Sequence, residues 1–155
     1  MAPEVIIRKA ELRDMRVVFE LSNDPLVRAN SIHSELIDWT THEKWFANAL
    51  VNPRLKFYIA ESTGGALIGQ VRFEGREDGW FVSISLAAEF RGKGMAQVVL
   101  MKAMEASGQQ CFIAEIGSDN LASLSLFERC GFILRPDRSF TFGGRKFESL
   151  RKDSR

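Results

Sequence analysis

The chain has 155 residues, 45% hydrophobic and 26% charged, with 21 basic against 20 acidic side chains and a formal net charge of +1. That is the length of one domain with a buried core, read here as a single domain over 1–155; two full domains would be cramped. Near-neutrality excludes a global field that would draw the protein onto nucleic acid or an anionic membrane. No window approaches the ~18 apolar residues of a membrane helix. Cys111 and Cys130 sit in apolar runs and read as small buried hydrophobes. The opening MAPEVIIRKAELRD has no long apolar stretch. Together these predict a chain without a signal peptide, at home in a reducing cytoplasm. His33 and His42 have no partner at ligand spacing, so no metal is expected.

In chain order, residues 5–10 read as a first strand. Residues 11–21 read as a helix with Leu12, Met15, Val18 and Phe19 on one face. Asn23-Asp24 and Pro25 mark a loop. Thr40 to Glu43 has the form of a capping box and opens a helix to about Leu50. Three strands follow at 55–61, 67–74 and 80–86, joined by Gly64-Gly65 and Glu77-Asp78-Gly79 turns. In the second, Gln70 and Arg72 share a face; in the third, Ser83 and Ser85 do. A loop at 89–94 leads into a helix at 94–106 that buries Ala96, Val99, Leu100 and Ala103 and stops at Gly108. Residues 111–116 read as a strand, 120–130 as a short helix, 131–134 as a strand and 145–150 as a last strand. The sum is an α+β domain, a central mixed sheet flanked by helices.

The loop Arg91-Gly92-Lys93-Gly94-Met95-Ala96 is the informative stretch. A helix N-terminus offers amides without intrahelical partners and the positive end of the macrodipole. Glycines let backbone approach an anion, and Arg91 and Lys93 add charge, so the loop suits a diphosphate. The dinucleotide pattern lacks its third glycine here, and a Walker loop would need Ser or Thr after the lysine. By itself the loop also reads as a glycine turn with solvated basic residues.

With its context, the sequence resembles the GNAT superfamily. Arg91-Gly92-Lys93-Gly94-Met95-Ala96 matches the family's acetyl-CoA signature, Arg/Gln-x-x-Gly-x-Gly/Ala. Some two dozen residues on, Asn120-x-x-Ser123-x-x-Leu126-Phe127-x-Arg129-x-Gly131-Phe132 is similar to its second signature. The resemblance implies the GNAT acyl-CoA N-acyltransferase fold and acetyl transfer from acetyl-CoA to a primary amine by direct attack, with no metal. It implies that Ser85 and Leu86 meet the pantetheine or acetyl group through backbone amides. Arg91 to Ala96 would cradle the diphosphate, and Asn120 would contact the coenzyme arm beside its plain alternative as a helix cap. Phe127 would border the coenzyme where many members carry a tyrosine acid, so no general acid is assigned. Tyr58, the only tyrosine, reads as structural.

Glu115 is the candidate base, at the place of the glutamate in members resembling ribosomal-protein N-terminal acetyltransferases; its other reading is a solvent-facing strand-end carboxylate. For the acceptor, 22–28, 39–46 and 69–73 resemble amino-sugar nucleotide members, above all pseudaminic-acid N-acetyltransferases. Trp39 and Trp45 could then stack on a sugar or base, and Arg28 or Arg72 could meet a phosphate. Trp45 also reads as core, and His42 as structural. A peptide or lysine acceptor, or a coenzyme-A-binding regulatory module, are the alternatives, and a homodimer stays open.

Overall fold

The computed structural model describes residues 4–153 and shows the mixed sheet flanked by helices that the sequence predicts. The strands are β1 (Ile6–Lys9), β2 (Leu55–Glu61), β3 (Leu67–Arg76), β4 (Gly79–Leu86), β5 (Cys111–Gly117), β6 (Ile133–Leu134), β7 (Phe140–Phe142) and β8 (Arg145–Asp153). They form one sheet in the order β1-β2-β3-β4-β5-β8-β6, with β7 also paired to β8. Every pairing is antiparallel except β4 with β5, which is parallel. The helices are α1 (Met15–Ser22), α2 (Pro25–Asn30), α3 (Trp39–Val51), α4 (Met95–Ser107) and α5 (Leu121–Arg129).

Strand alternation divides the core between the two sheet faces. Phe57 and Ile59 of β2 pack with Val18 of α1 and Phe46 and Ala49 of α3. Their neighbours Tyr58 and Ala60 face the other way, into a larger cluster. There Val71, Phe73, Phe112 and Ala114 meet Val99, Leu100 and Ala103 of α4 and Leu126 and Phe127 of α5. Tyr58 is therefore a core residue, 5% exposed. The α1–α3 face of β3 to β5 is more polar, carrying Gln70, Arg72, Ser83, Ser85 and Glu115.

Several boundaries differ from the sequence reading for local reasons. The first helix opens as a single 3-10 turn, Leu12–Asp14, before α1. The Asp14 carboxylate accepts from the Glu11 amide and, bidentately, from Arg8, all at 2.8 Å. Asn23-Asp24 make the expected break after α1, but Pro25 then starts a further helix. Asp24 caps α2, accepting from the amides of Leu26 and Val27, and proline at the first helical position loses no hydrogen bond. The cap of α3 is Asp38 and not Thr40. Asp38 takes the Thr41 amide and the Thr41 hydroxyl, each at 2.8 Å, a two-point contact the Thr40 side chain has no counterpart for. The hairpin β7–β8 adds a strand to the predicted set, because β7 is only three residues long and too short to show a period of its own.

Candidate active site

The parallel pair β4–β5 is joined at only two positions, Trp80↔Phe112 and Phe81↔Ile113. Beyond them β4 runs on to Leu86, still paired with β3, and β5 runs on to Gly117, still paired with β8. Each strand keeps its outer neighbour while the two part from each other, which opens a wedge in the middle of the sheet. Ala87 donates its amide to Ile68 on β3 at 2.8 Å. Donors alternate sides along a strand, so Leu86 and Ile84 turn their N–H groups into the wedge. Ser85 therefore presents its amide to β3 and offers the wedge only its flank. Of the two residues expected to act through backbone amides, the geometry favours Leu86.

The loop at the wedge mouth has the form that diphosphate binding needs. Gly92 and Gly94 both have φ of +73°, and no atom lies within 4 Å of where a β-carbon would stand on either. Gly94 caps α4 in the left-handed conformation with no side chain accepting from the first-turn amides, and the first turn carries no acidic residue. A run of free N–H groups thus faces open space at the positive end of a helix of 13 residues. These features fit the diphosphate of coenzyme A. Met95 is buried and Ala96 half-buried, so what either can present to the loop is its main chain. Lys93 is exposed. Arg91 points elsewhere than the loop axis. Its Nε donates to the Leu86 carbonyl at 3.1 Å and its Nη2 lies 3.0 Å from Asp24.

Glu115 sits on β5 two residues past the last paired position, level with Ser83 across the opening and on the α1–α3 face. Its side chain is 24% exposed, with the carboxylate 3.8 Å from Arg76. Burial pushes its carboxyl above the ordinary glutamate range, against the opposing pull of Arg76 and Arg135. Arg135 reaches the neighbourhood by donating Nε and Nη2 to the hydroxyl of Ser149, the cross-strand partner of Glu115. The placement joins a poised carboxylate to the wedge.

The second signature holds α5 in place. Asn120 caps α5 by accepting from the Ser123 amide at 3.3 Å, its structural role. Phe127 is 3% exposed and packs edge-on against Phe132 with centroids 4.9 Å apart, inside the larger core.

The residues expected to meet the acceptor divide. Arg28 is committed within its own loop. It donates to the carbonyls of Ser22 (2.7 Å), His33 (2.8 Å) and Glu35 (3.2 Å) and to the Ser31 hydroxyl. Its guanidinium fastens the α2–α3 connection and has little left for a phosphate. Trp39 meets Phe19 edge-on at 5.1 Å and carries Arg16 over its ring. Trp45 packs on Phe46 and Phe57 and carries Arg72 over its ring at 4.8 Å. Arg72 is different. It donates to Ser83 at 3.1 Å, and no carboxylate pairs with it among the described residues. Burial lowers its pKa to about 10, with nearby Arg28 adding to the effect, and it stays a cation at neutral pH.

Two elements of this side escape a reading of the sequence. Asn23 clamps Ile37 through both its amide atoms, at 2.8 Å each. Arg145 reaches from β8 to the Ala29 carbonyl (2.7 Å) and to Asp119 (3.3 Å). Together with Arg28 they fix the α2–α3 connection as a roof beside the wedge. Asp24-Pro25 carries a readable cap signal, but contacts between such distant positions leave no trace in a single sequence. Cavities of about 320 and 230 Å3 lie elsewhere, beside Gly108 and beside Ala49, and neither includes Leu86, Glu115 or the glycine loop. No helix among the described residues is long and apolar enough to cross a membrane, and no cluster of potential metal ligands occurs among them.

Comparison with known proteins bears on this site. A family model described as an acetyltransferase (GNAT) domain matches residues 4–133. No curated protein matches the chain. Among solved structures, spermidine N-acetyltransferase from Vibrio cholerae, in complex with CoA and spermine, superposes with a TM-score of 0.86 at 18% identity, over 97% of this chain and 95% of that one. Ribosomal-protein-alanine N-acetyltransferase from Brucella melitensis gives 0.79 at 21% identity, over 96% and 99%. A candidate phosphinothricin N-acetyltransferase gives 0.78 at 24% identity, over 98% and 99%.

Proposed function

The chain belongs to the GNAT family of acetyl-CoA-dependent N-acetyltransferases, and on that premise we propose that it acetylates a primary amine by direct attack, with Glu115 as the base. The observation that carries the reading is the parting of β4 from β5 beside a glycine loop whose amides are free. Acetyl-CoA, lying in the wedge, supplies an acetyl thioester. The protein supplies the rest. Amides at Gly92 to Ala96 hold the diphosphate. The Leu86 N–H stands where negative charge develops on the thioester oxygen.

An alkylamine of pKa about 10 is mostly protonated at neutral pH and must lose a proton before its nitrogen can attack. Glu115 takes that proton, directly or through one water. The nitrogen–carbon bond forms, the carbon–sulfur bond breaks, the sulfur departs with its electron pair as a thiolate, and the second proton, left on the nitrogen of the new amide, passes to that thiolate or to solvent. A thiol pKa near ~8.5 makes that departure tolerable without an acid. Phe127 has no proton to give, and Tyr58 is closed in the core.

For the acceptor we propose a nucleotide-linked amino sugar. The support is the resemblance of 22–28, 39–46 and 69–73 to such enzymes, together with an unpaired, half-buried cation at Arg72 on the Glu115 face. A polyamine would face repulsion from Arg72. The test is a screen of amine acceptors read by thiol release from acetyl-CoA. Turnover that depends on a sugar-nucleotide amine supports the whole reading. Turnover confined to spermidine or to peptide N-termini overturns the acceptor assignment. Coenzyme A binding without turnover of any amine overturns the catalytic one.

A further inference from the structure

Arg91 joins two parts of the molecule that the two substrates would use. Its Nε holds the carbonyl of Leu86, on the wedge side of β4. Its Nη2 lies 3.0 Å from Oδ1 of Asp24 at the head of α2. Asp24 belongs to the α1–α2 turn on the acceptor side, and the same oxygen caps the helix by accepting from Leu26 and Val27. One guanidinium therefore bridges the diphosphate loop, the wedge wall and the acceptor roof.

The bridge is made imperfectly. Nη2 of Arg91 is buried, yet no acceptor meets it at hydrogen-bond angles, Asp24 included. A buried donor without an aligned acceptor carries a desolvation cost that a better-placed anion removes. A diphosphate at Gly92 and Gly94, next in the chain, is such an anion, with more charge than one carboxylate and a geometry that suits the guanidinium fork. When Arg91 turns to it, the Leu86 carbonyl is freed to accept from the amide N–H of a pantetheine arm. Asp24, which shares this guanidinium with Leu86, is left as a carboxylate without its arginine. Burial works to raise its carboxyl, but Arg91 and the Val27 and Leu26 amides outweigh it and hold it below the ordinary range, so it is ionised at neutral pH.

We propose that the Arg91–Asp24 pair stands in for both substrates: coenzyme A displaces Asp24 from Arg91, and Asp24 so uncovered receives the ammonium of the acceptor. The cofactor then binds first and prepares the acceptor side. The inference rests on the wedge being the acetyl-CoA site, as proposed above, and adds Asp24 as an acceptor-binding residue.

Asp24→Asn is a clean probe, because asparagine caps a helix as well as aspartate does and only the charge is lost. By calorimetry, this variant should bind coenzyme A about three- to fivefold more tightly than the parent, the worth of one half-exposed ion pair. Hydrogen exchange should show coenzyme A loosening the amides of Asp24 and of residues 26–28 in the parent and leaving them unchanged in Asp24→Asn. With acetyl-CoA saturating, the KM of whichever of spermidine, UDP-glucosamine or an alanyl peptide is turned over fastest should rise about tenfold, with kcat less affected. Equal coenzyme A affinity in parent and variant, with exchange at those amides indifferent to the coenzyme, overturns the proposal. Those two readings need no acceptor. A parent protein that fails to bind coenzyme A overturns the acetyltransferase reading itself and is told apart by that result.

Discussion

On the cofactor side, from Ser83 to Ala96, many of the groups free to act are backbone amides; on the acceptor side, from Ser22 to Phe46, several of the polar side chains already hold another part of the chain. Gly94 leaves the amides of α4 open, whereas Asn23, Arg28 and Asp38 are taken up in fastening a loop or a helix end. The contrast teaches where each kind of specificity resides. On the proposed reading, binding an invariant coenzyme rests first on main-chain geometry, with Arg91 adding charge. On the same reading, recognising an acceptor falls to the side chains with capacity to spare, Arg72 above all, beside the base Glu115.

The contrast can be broken from either side. The largest effect is expected at the glycine loop. Gly94→Val forces a β-branched residue into a left-handed backbone, at a cost of about 1–3 kcal/mol, and puts its methyl groups where the phosphate oxygens approach. Nothing in the protein lies within 4 Å of that site, so folding should survive while coenzyme A affinity falls by about a hundredfold or more in calorimetry.

Next is Glu115→Gln, with an expected loss of about 10²–10⁴ in kcat and unchanged coenzyme A affinity. The parent should also lose activity as pH falls through the carboxyl pKa of Glu115, which burial sets above the usual glutamate value. Protonation removes the base, so the fall lies on the acid side. The amide that replaces the carboxylate in the variant does not titrate, and the residual rate should not show that limb.

Arg28→Met tests the other region. It leaves the Ser22, His33 and Glu35 carbonyls without their donor, and thermal unfolding should show a loss of about 1–3 kcal/mol. If Arg28 served the acceptor, KM would change with stability intact. The smallest expected effect is Arg72→Met, which keeps the packing on Trp45. It should raise the KM of an anionic acceptor several-fold and leave that of a neutral amine unchanged in steady-state assays.

The cofactor side was largely legible in the sequence, because its chemistry resides in residue type and spacing. Gly92 and Gly94 are needed for a positive φ, and the amphipathic run after them marks α4. The wedge itself was not legible from composition or periodicity. It depends on which strands stay paired, which no single segment shows. The acceptor side was less legible, because an arginine or tryptophan looks the same whether it meets a ligand or its own chain. Arg28 is held by carbonyls close in sequence, but those carbonyls belong to a loop with no pattern of its own. Asp24 and Arg91, far apart in the chain, could be joined only by the fold.

The central claim is that Leu86 and the Gly92–Ala96 amides grip acetyl-CoA in the parted sheet. Titration of the labelled protein with coenzyme A, followed by amide NMR, tests it directly. The largest shifts and the slowest exchange should fall on Ile84, Leu86 and residues 92–96. Saturable binding that leaves those amides unmoved, or no binding at all, would contradict the account.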